Sequence, residues 1–109
     1  MDPSTVREIS AVELKAMIDR GERFELIDVR TPGERDIAAL EGARLLDQRE
    51  YDELIRMGEE TPIVFLCHHG NRSRAAAEHF RQQGFTNLYN VRDGIEGWSV
   101  TVDPSVPRY

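Results

Sequence analysis

Residues 62–67, Pro-Ile-Val-Phe-Leu-Cys, form an apolar run with no polar side chain on either alternate face. A strand with one wet face alternates. A strand without alternation is covered on both faces, as in a sheet that lies between helices. The flanking segments supply those helices. Ser10 and Glu13 make a capping box, and Leu14, Met17 and Ile18 share one helical face, so a helix is expected over 10–20, stopped by Gly21. Phe24 to Val29 repeats the buried-strand pattern, and Thr31-Pro32 with Glu34 then caps a short second helix. Ala43 to Leu46 is a weak strand signal. Asp47 with Glu50 opens a helix that runs to Gly58, and Ser73 to Gln83 reads as a helix with Ala76, Ala77 and Phe80 inward and Gly84 at its end. Residues 87–91 make a last strand, and 94–98 a turn or short helix. Strands alternating with helices of this length define an α/β fold.

In such sheets ligands bind beyond the C-terminal ends of the strands. Two of the expected strands end in chemistry there, one at Arg30 and one at Cys67. The loop that follows, Cys67-His68-His69-Gly70-Asn71-Arg72 with Ser73 opening the helix, favours an anion. Backbone N–H groups at a helix start are unpaired, the helix dipole is positive there, and a thiol so placed ionises more readily. Gly70 and Asn71 tolerate positive φ best, so they are expected to curl the loop around the sulfur. Arg72 and Arg74 add positive charge, of which one can point into the cradle, and His68 and His69 titrate near neutrality. Cysteine at a strand end is also a small buried hydrophobe. An inert one, however, has no need of a glycine loop, an arginine and a helix start beside it. Zinc is disfavoured, because Cys67, His68 and His69 are adjacent, no spaced pair completes a ligand set, and His79 lies within a helix.

The chain has 109 residues and suits one domain, with a core over about 7–99 and a tail over 100–109. Its single cysteine excludes an internal disulfide and any mechanism needing a second thiol within the chain. Fourteen basic against twenty acidic residues give a net charge of −6, which argues against a nucleic-acid surface. The first ten residues lack the pattern of a secretory leader and no apolar run is long enough for a membrane span, so a soluble cytoplasmic monomer is the expectation.

The loop Cys-His-His-Gly-Asn-Arg-Ser, after Ile-Val-Phe-Leu and before an alanine-rich helix, resembles the Cys-x-x-Gly-x-Arg-Ser loop of the single-domain rhodanese sulfurtransferases. Residues 27–43, with Asp28-Val29-Arg30, are similar to that family's "DVR…E…GHIPGA" segment, and residues 84–98 to its ending with glycine and tryptophan. Ala39 and Glu41 stand where the family has His and Pro, which puts the turn or the substrate entrance in question. The resemblance implies a rhodanese-like α/β fold with a five-stranded, mainly parallel sheet and helices on both faces.

It also implies that Cys67 is the sulfur-accepting nucleophile and that His68, His69, Gly70, Asn71, Arg72 and Ser73 form the cradle of a persulfide. Arg30 could attract an anionic donor, with Asp28 as structural support. Phosphatases sharing the fold have five residues between cysteine and arginine; the four here suit one sulfur better than a phosphate. The implied reaction takes sulfur from a small thiosulfate-like anion and passes it to cyanide, a thiol or a protein acceptor, with no metal or organic cofactor. A non-catalytic persulfide or redox sensor, or an interaction module, is the alternative. The ending Trp98 to Tyr109 reads first as surface packing. It also resembles the end of rhodanese domains attached to enzymes that activate sulfur-carrier proteins.

Overall fold

The structure is a computed structural model and describes residues 5–109, so part of the leader-free reading of residues 1–10 lies outside the described residues. The chain runs β1 (Arg7–Ile9), α1 (Ala11–Asp19), β2 (Glu25–Asp28), α2 (Pro32–Ile37), β3 (Arg44–Leu45), α3 (Gln48–Met57), β4 (Ile63–Leu66), α4 (Asn71–Gln82), β5 (Leu88–Val91) and α5 (Gly94–Thr101). The five strands form one sheet in the order β1-β5-β4-β2-β3, and every pairing is parallel.

The unbroken apolar run of β4 has the physical cause expected of it. Its four residues are buried, Val64 and Leu66 toward one face and Ile63 and Phe65 toward the other. On the first face lie Leu14 and Met17 of α1 with Ile95 and Trp98 of α5; on the second lie Leu54 of α3 with Ala77 and Phe80 of α4. Phe80 ties the second face together, its ring centroid 5.3 Å from those of Phe65 and Phe85. Each buried side chain of this size stabilises the fold by about 1.5–3 kcal/mol.

Local signals hold at most helix starts. The capping boxes of Ser10 with Glu13 and of Thr31 with Glu34 are both formed, and Asp47 accepts the Glu50 N–H. Three boundaries differ from expectation. β1 is absent from the sequence reading because only Ile9 of its three residues is buried. α4 begins at Asn71, two residues early, with Gly70 as its N-cap at φ 99°. Asn71 is therefore helical, and only glycines among the described residues adopt positive φ. α5 continues to Thr101, past the 94–98 expected for it, and Val102 and Asp103 donate their N–H groups to Trp98 O. Val102 and Val106 then pack against the first core cluster.

The turn that departs from the family pattern still closes. Ala43 donates to Leu40 O, Gly42 takes φ 84°, and Ala38, Leu40 and Ala43 are buried.

Candidate active site

Parallel pairing brings the C-terminal ends of β2 and β4 side by side, with Asp28 opposite Leu66. Cys67 follows β4 directly and is 1 % exposed. Its Sγ receives the N–H groups of Gly70 at 3.1 Å and of Ser73 at 3.3 Å and lies 3.2 Å from Ser73 Oγ. These contacts come from one feature, the turn made by Gly70 and the opening of α4 above the strand end. Burial pushes the thiol up, but the backbone N–H groups of Ser73, Gly70 and His69 that point at the sulfur hold it below the ordinary cysteine value.

The loop is locked from the far side by α5. Ile95 N–H donates to Cys67 O at 2.9 Å and Glu96 N–H to His68 O at 3.2 Å. Two glycines permit the approach. A Cβ on Gly94, at φ 61°, would overlap the His68 carbonyl, and one on Gly70 would overlap that of Arg92.

The cations are placed differently from expectation. Arg30 does not face out to attract a donor. Its side chain is fully buried, and its N–H groups go to both Asp28 carboxylate oxygens, Ala38 O, Glu34 O and the Tyr109 hydroxyl. It braces the edge that carries the site. Asp28 accepts in addition the Arg30 backbone N–H and a bond from Arg35, a supporting position. Arg72 makes two parallel bonds to Glu34, at 2.7 and 2.9 Å, and Arg74 pairs with Glu8 on the opposite flank. Both contribute a favourable field at Cys67 while their guanidinium groups are held outside the cradle.

His68 and His69 are stacked with centroids 3.9 Å apart, and Tyr109 covers the other face of His68, also at 3.9 Å. His68 Nε2 is buried without a hydrogen-bond partner, and burial together with His69 lowers its pKa. His69 is exposed, as is Asn71 at the first position of α4. Among the described residues no cluster of His, Cys, Asp or Glu is arranged to hold a metal ion.

Glu34, Tyr109 and Asn90 were not site residues in the sequence reading. Glu34 had a visible role as a helix-capping residue. Its second role, to Arg72 and to the Tyr109 hydroxyl at 2.6 Å, depends on partners 38 and 75 positions away. The Arg72 pairing holds the Glu34 carboxyl well below the usual carboxylate range. A carboxyl depressed in the folded state stabilises above its unfolded pKa and loses that contribution as the pH falls. Glu34→Gln is therefore expected to lose about 1 kcal/mol at pH 7, since Arg72 is half-exposed. Thermal unfolding of the two proteins should converge below about pH 4, the region where an unfolded glutamate protonates; a gap that stays constant from pH 7 to pH 3 would contradict the pairing.

The comparisons with known proteins agree with this geometry. Residues 10–101 match the family model described as a rhodanese-like domain. The chain is 34 % identical over 112 residues to the chloroplastic rhodanese-like/PpiC domain-containing protein 12 of Arabidopsis thaliana, covering 95 % of this chain and 38 % of that protein. It is 30 % identical over 95 residues to the thiosulfate sulfurtransferase GlpE of Pseudomonas aeruginosa, covering 86 % of this chain and 84 % of the relative. A crystal structure of a rhodanese-like domain protein from Staphylococcus aureus superposes with a TM-score of 0.75 at 21 % identity, covering 95 % of this chain and 99 % of the other. With a family model matched across most of its length and a buried cysteine at the strand end where the fold binds ligands, the chain belongs to the rhodanese-like domain family.

Proposed function

We propose that this protein is a sulfurtransferase that carries sulfane sulfur on Cys67. The observation behind the reading is the position of the only thiol, with backbone N–H groups converging on its sulfur at the start of a twelve-residue helix. Such a site stabilises negative charge on sulfur without a side-chain base. Similarity to a thiosulfate sulfurtransferase along most of both chains supports an anionic donor of the thiosulfate type.

In the first half-reaction the Cys67 thiolate attacks the outer sulfur of the donor. A new S–S bond forms to Sγ, the donor S–S bond breaks, and sulfite leaves with the bonding electrons. The terminal sulfur of the persulfide then carries the charge among the loop N–H groups. In the second, a thiolate or cyanide attacks that terminal sulfur and Cys67 leaves as thiolate. One covalent intermediate shared by two half-reactions makes the kinetics ping-pong. A second cysteine in the chain is needed in neither step.

Incubation with thiosulfate followed by intact-protein mass spectrometry tests the reading. The expected result is a gain of one sulfur atom, mapped to the peptide containing Cys67 and removed by cyanide. A protein whose mass does not change with excess donor is not a sulfurtransferase of this type.

A further inference from the structure

Ser73 and Asn90 form a buried polar pair beneath the reactive sulfur. Both are 0 % exposed. Hydrogen-bond counting determines which way each atom faces. One terminal atom of the Asn90 amide lies 2.9 Å from Glu8 Oε1 and 3.1 Å from Gly70 O. A carboxylate and a carbonyl only accept, so that atom is Nδ2 with its two hydrogens. Oδ1 therefore faces Ser73 Oγ, at 2.5 Å. An amide oxygen only accepts, so the single hydrogen of the Ser73 hydroxyl lies on that short line. What Ser73 turns toward Cys67 Sγ, 3.2 Å away, is a lone pair.

We propose that Asn90 is a positioning residue that claims the Ser73 hydroxyl hydrogen, makes Ser73 an acceptor toward Cys67, and leaves hydrogen bonding to the anionic sulfur to the backbone N–H groups.

In the thiol form the chain is complete: Sγ–H donates to Oγ, and Oγ–H donates to Oδ1. Donation from Nδ2 to the Glu8 carboxylate polarises the amide and makes Oδ1 a stronger acceptor. On ionisation Ser73 has two choices. It keeps its hydrogen on Asn90 and faces the thiolate with a lone pair, or it turns the hydrogen to sulfur and strands a buried carbonyl oxygen. Either way the hydroxyl gives the anion no net advantage.

The charged and titratable side chains around the sulfur make no hydrogen bond to it, and Arg72 and Arg74 act on it only through space. From β1 there is Glu8, tied to Arg74 of α4; from α2 there is Glu34, tied to Arg72; and the loop adds His68 and His69.

Cys67 is the only cysteine, so the pH dependence of its alkylation by iodoacetamide reads this thiol directly. Alkylation requires no sulfur donor, and its outcome is separate from that of the proposed transfer reaction. The expected result is that Ser73→Ala leaves the thiol pKa at or below the wild-type value. Asn90→Ala frees the hydrogen to turn onto sulfur and lowers the pKa by about one pH unit, the size of a hydrogen bond to a charged atom. The same change in the Ser73→Ala background leaves it in place. A higher pKa in Ser73→Ala, the mark of a donor to the thiolate, overturns the proposal, as does an equal effect of Asn90→Ala in both backgrounds. If Asn90→Ala does not fold, the Ser73→Ala titration decides alone, with Ser73→Thr, which keeps the hydroxyl, expected at the wild-type pKa.

Discussion

Cys67→Ser is expected to abolish sulfur loading, by about 10³-fold or more, while leaving the fold intact. The two parts of that expectation have separate causes. No other thiol exists in the chain to take over. A serine hydroxyl ionises far above neutrality, and the N–H groups of Gly70 and Ser73, which help to hold a thiol pKa down, do not make an alkoxide available at pH 7. Stability, by contrast, changes little. Serine is close to cysteine in size, and its Oγ can accept the same two N–H groups, so no buried polar atom is orphaned. The change in stability is therefore expected to stay within about 1 kcal/mol. Intact mass after incubation with thiosulfate and the thermal midpoint are measured on the same sample. An adduct that persists in the variant would move the chemistry away from Cys67.

Features set by neighbours in sequence were legible before the structure. Three side-chain caps, at Ser10, Thr31 and Asp47, are read from residues three apart, and each is present. The buried character of β4 agrees with its lack of alternation, and the parallel sheet follows from the alternation of strands with helices along the chain. The cysteine at a strand end before a helix was legible for the same reason, because the turn that holds it is local. Features that depend on residues far apart were not. Asn90 looks like an ordinary polar residue in a strand; its meaning comes from Ser73 and Gly70, 17 and 20 positions away. Tyr109 sits in a segment read as surface packing, and its ring nevertheless lies on His68 while its hydroxyl reaches Arg30 and Glu34. Arg30 shows the limit of a motif. Its position in the Asp-Val-Arg triplet suggests a cation waiting for a ligand, yet residues two apart in an extended segment point to the same side, so Asp28 captures it.

Capture of Arg30 by Asp28 predicts the largest stability change of any single substitution considered for this fold. Asp28→Ala is expected to destabilise by about 3–5 kcal/mol, a large part of the roughly 5–15 kcal/mol that holds a domain of this size together. The loss does not measure the attraction of the pair. It arises because the guanidinium remains behind, fully buried and packed against Ala38 O, without the carboxylate that offsets its removal from water. Arg35, also bonded to Asp28, has a quarter of its side chain exposed and can turn to solvent, so it adds little to the cost. Replacing both partners, Asp28→Leu with Arg30→Met, removes the stranded charge and should recover more than half of the loss. Recovery of stability should not bring recovery of the site, because Arg30 also anchors the Tyr109 hydroxyl and through it the ring that covers His68. The urea midpoint measured by circular dichroism reads the first effect, and the rate of sulfur loading from thiosulfate reads the second. A double variant no more stable than Asp28→Ala would show that the pair acts through geometry at the end of β2 rather than through its buried charge.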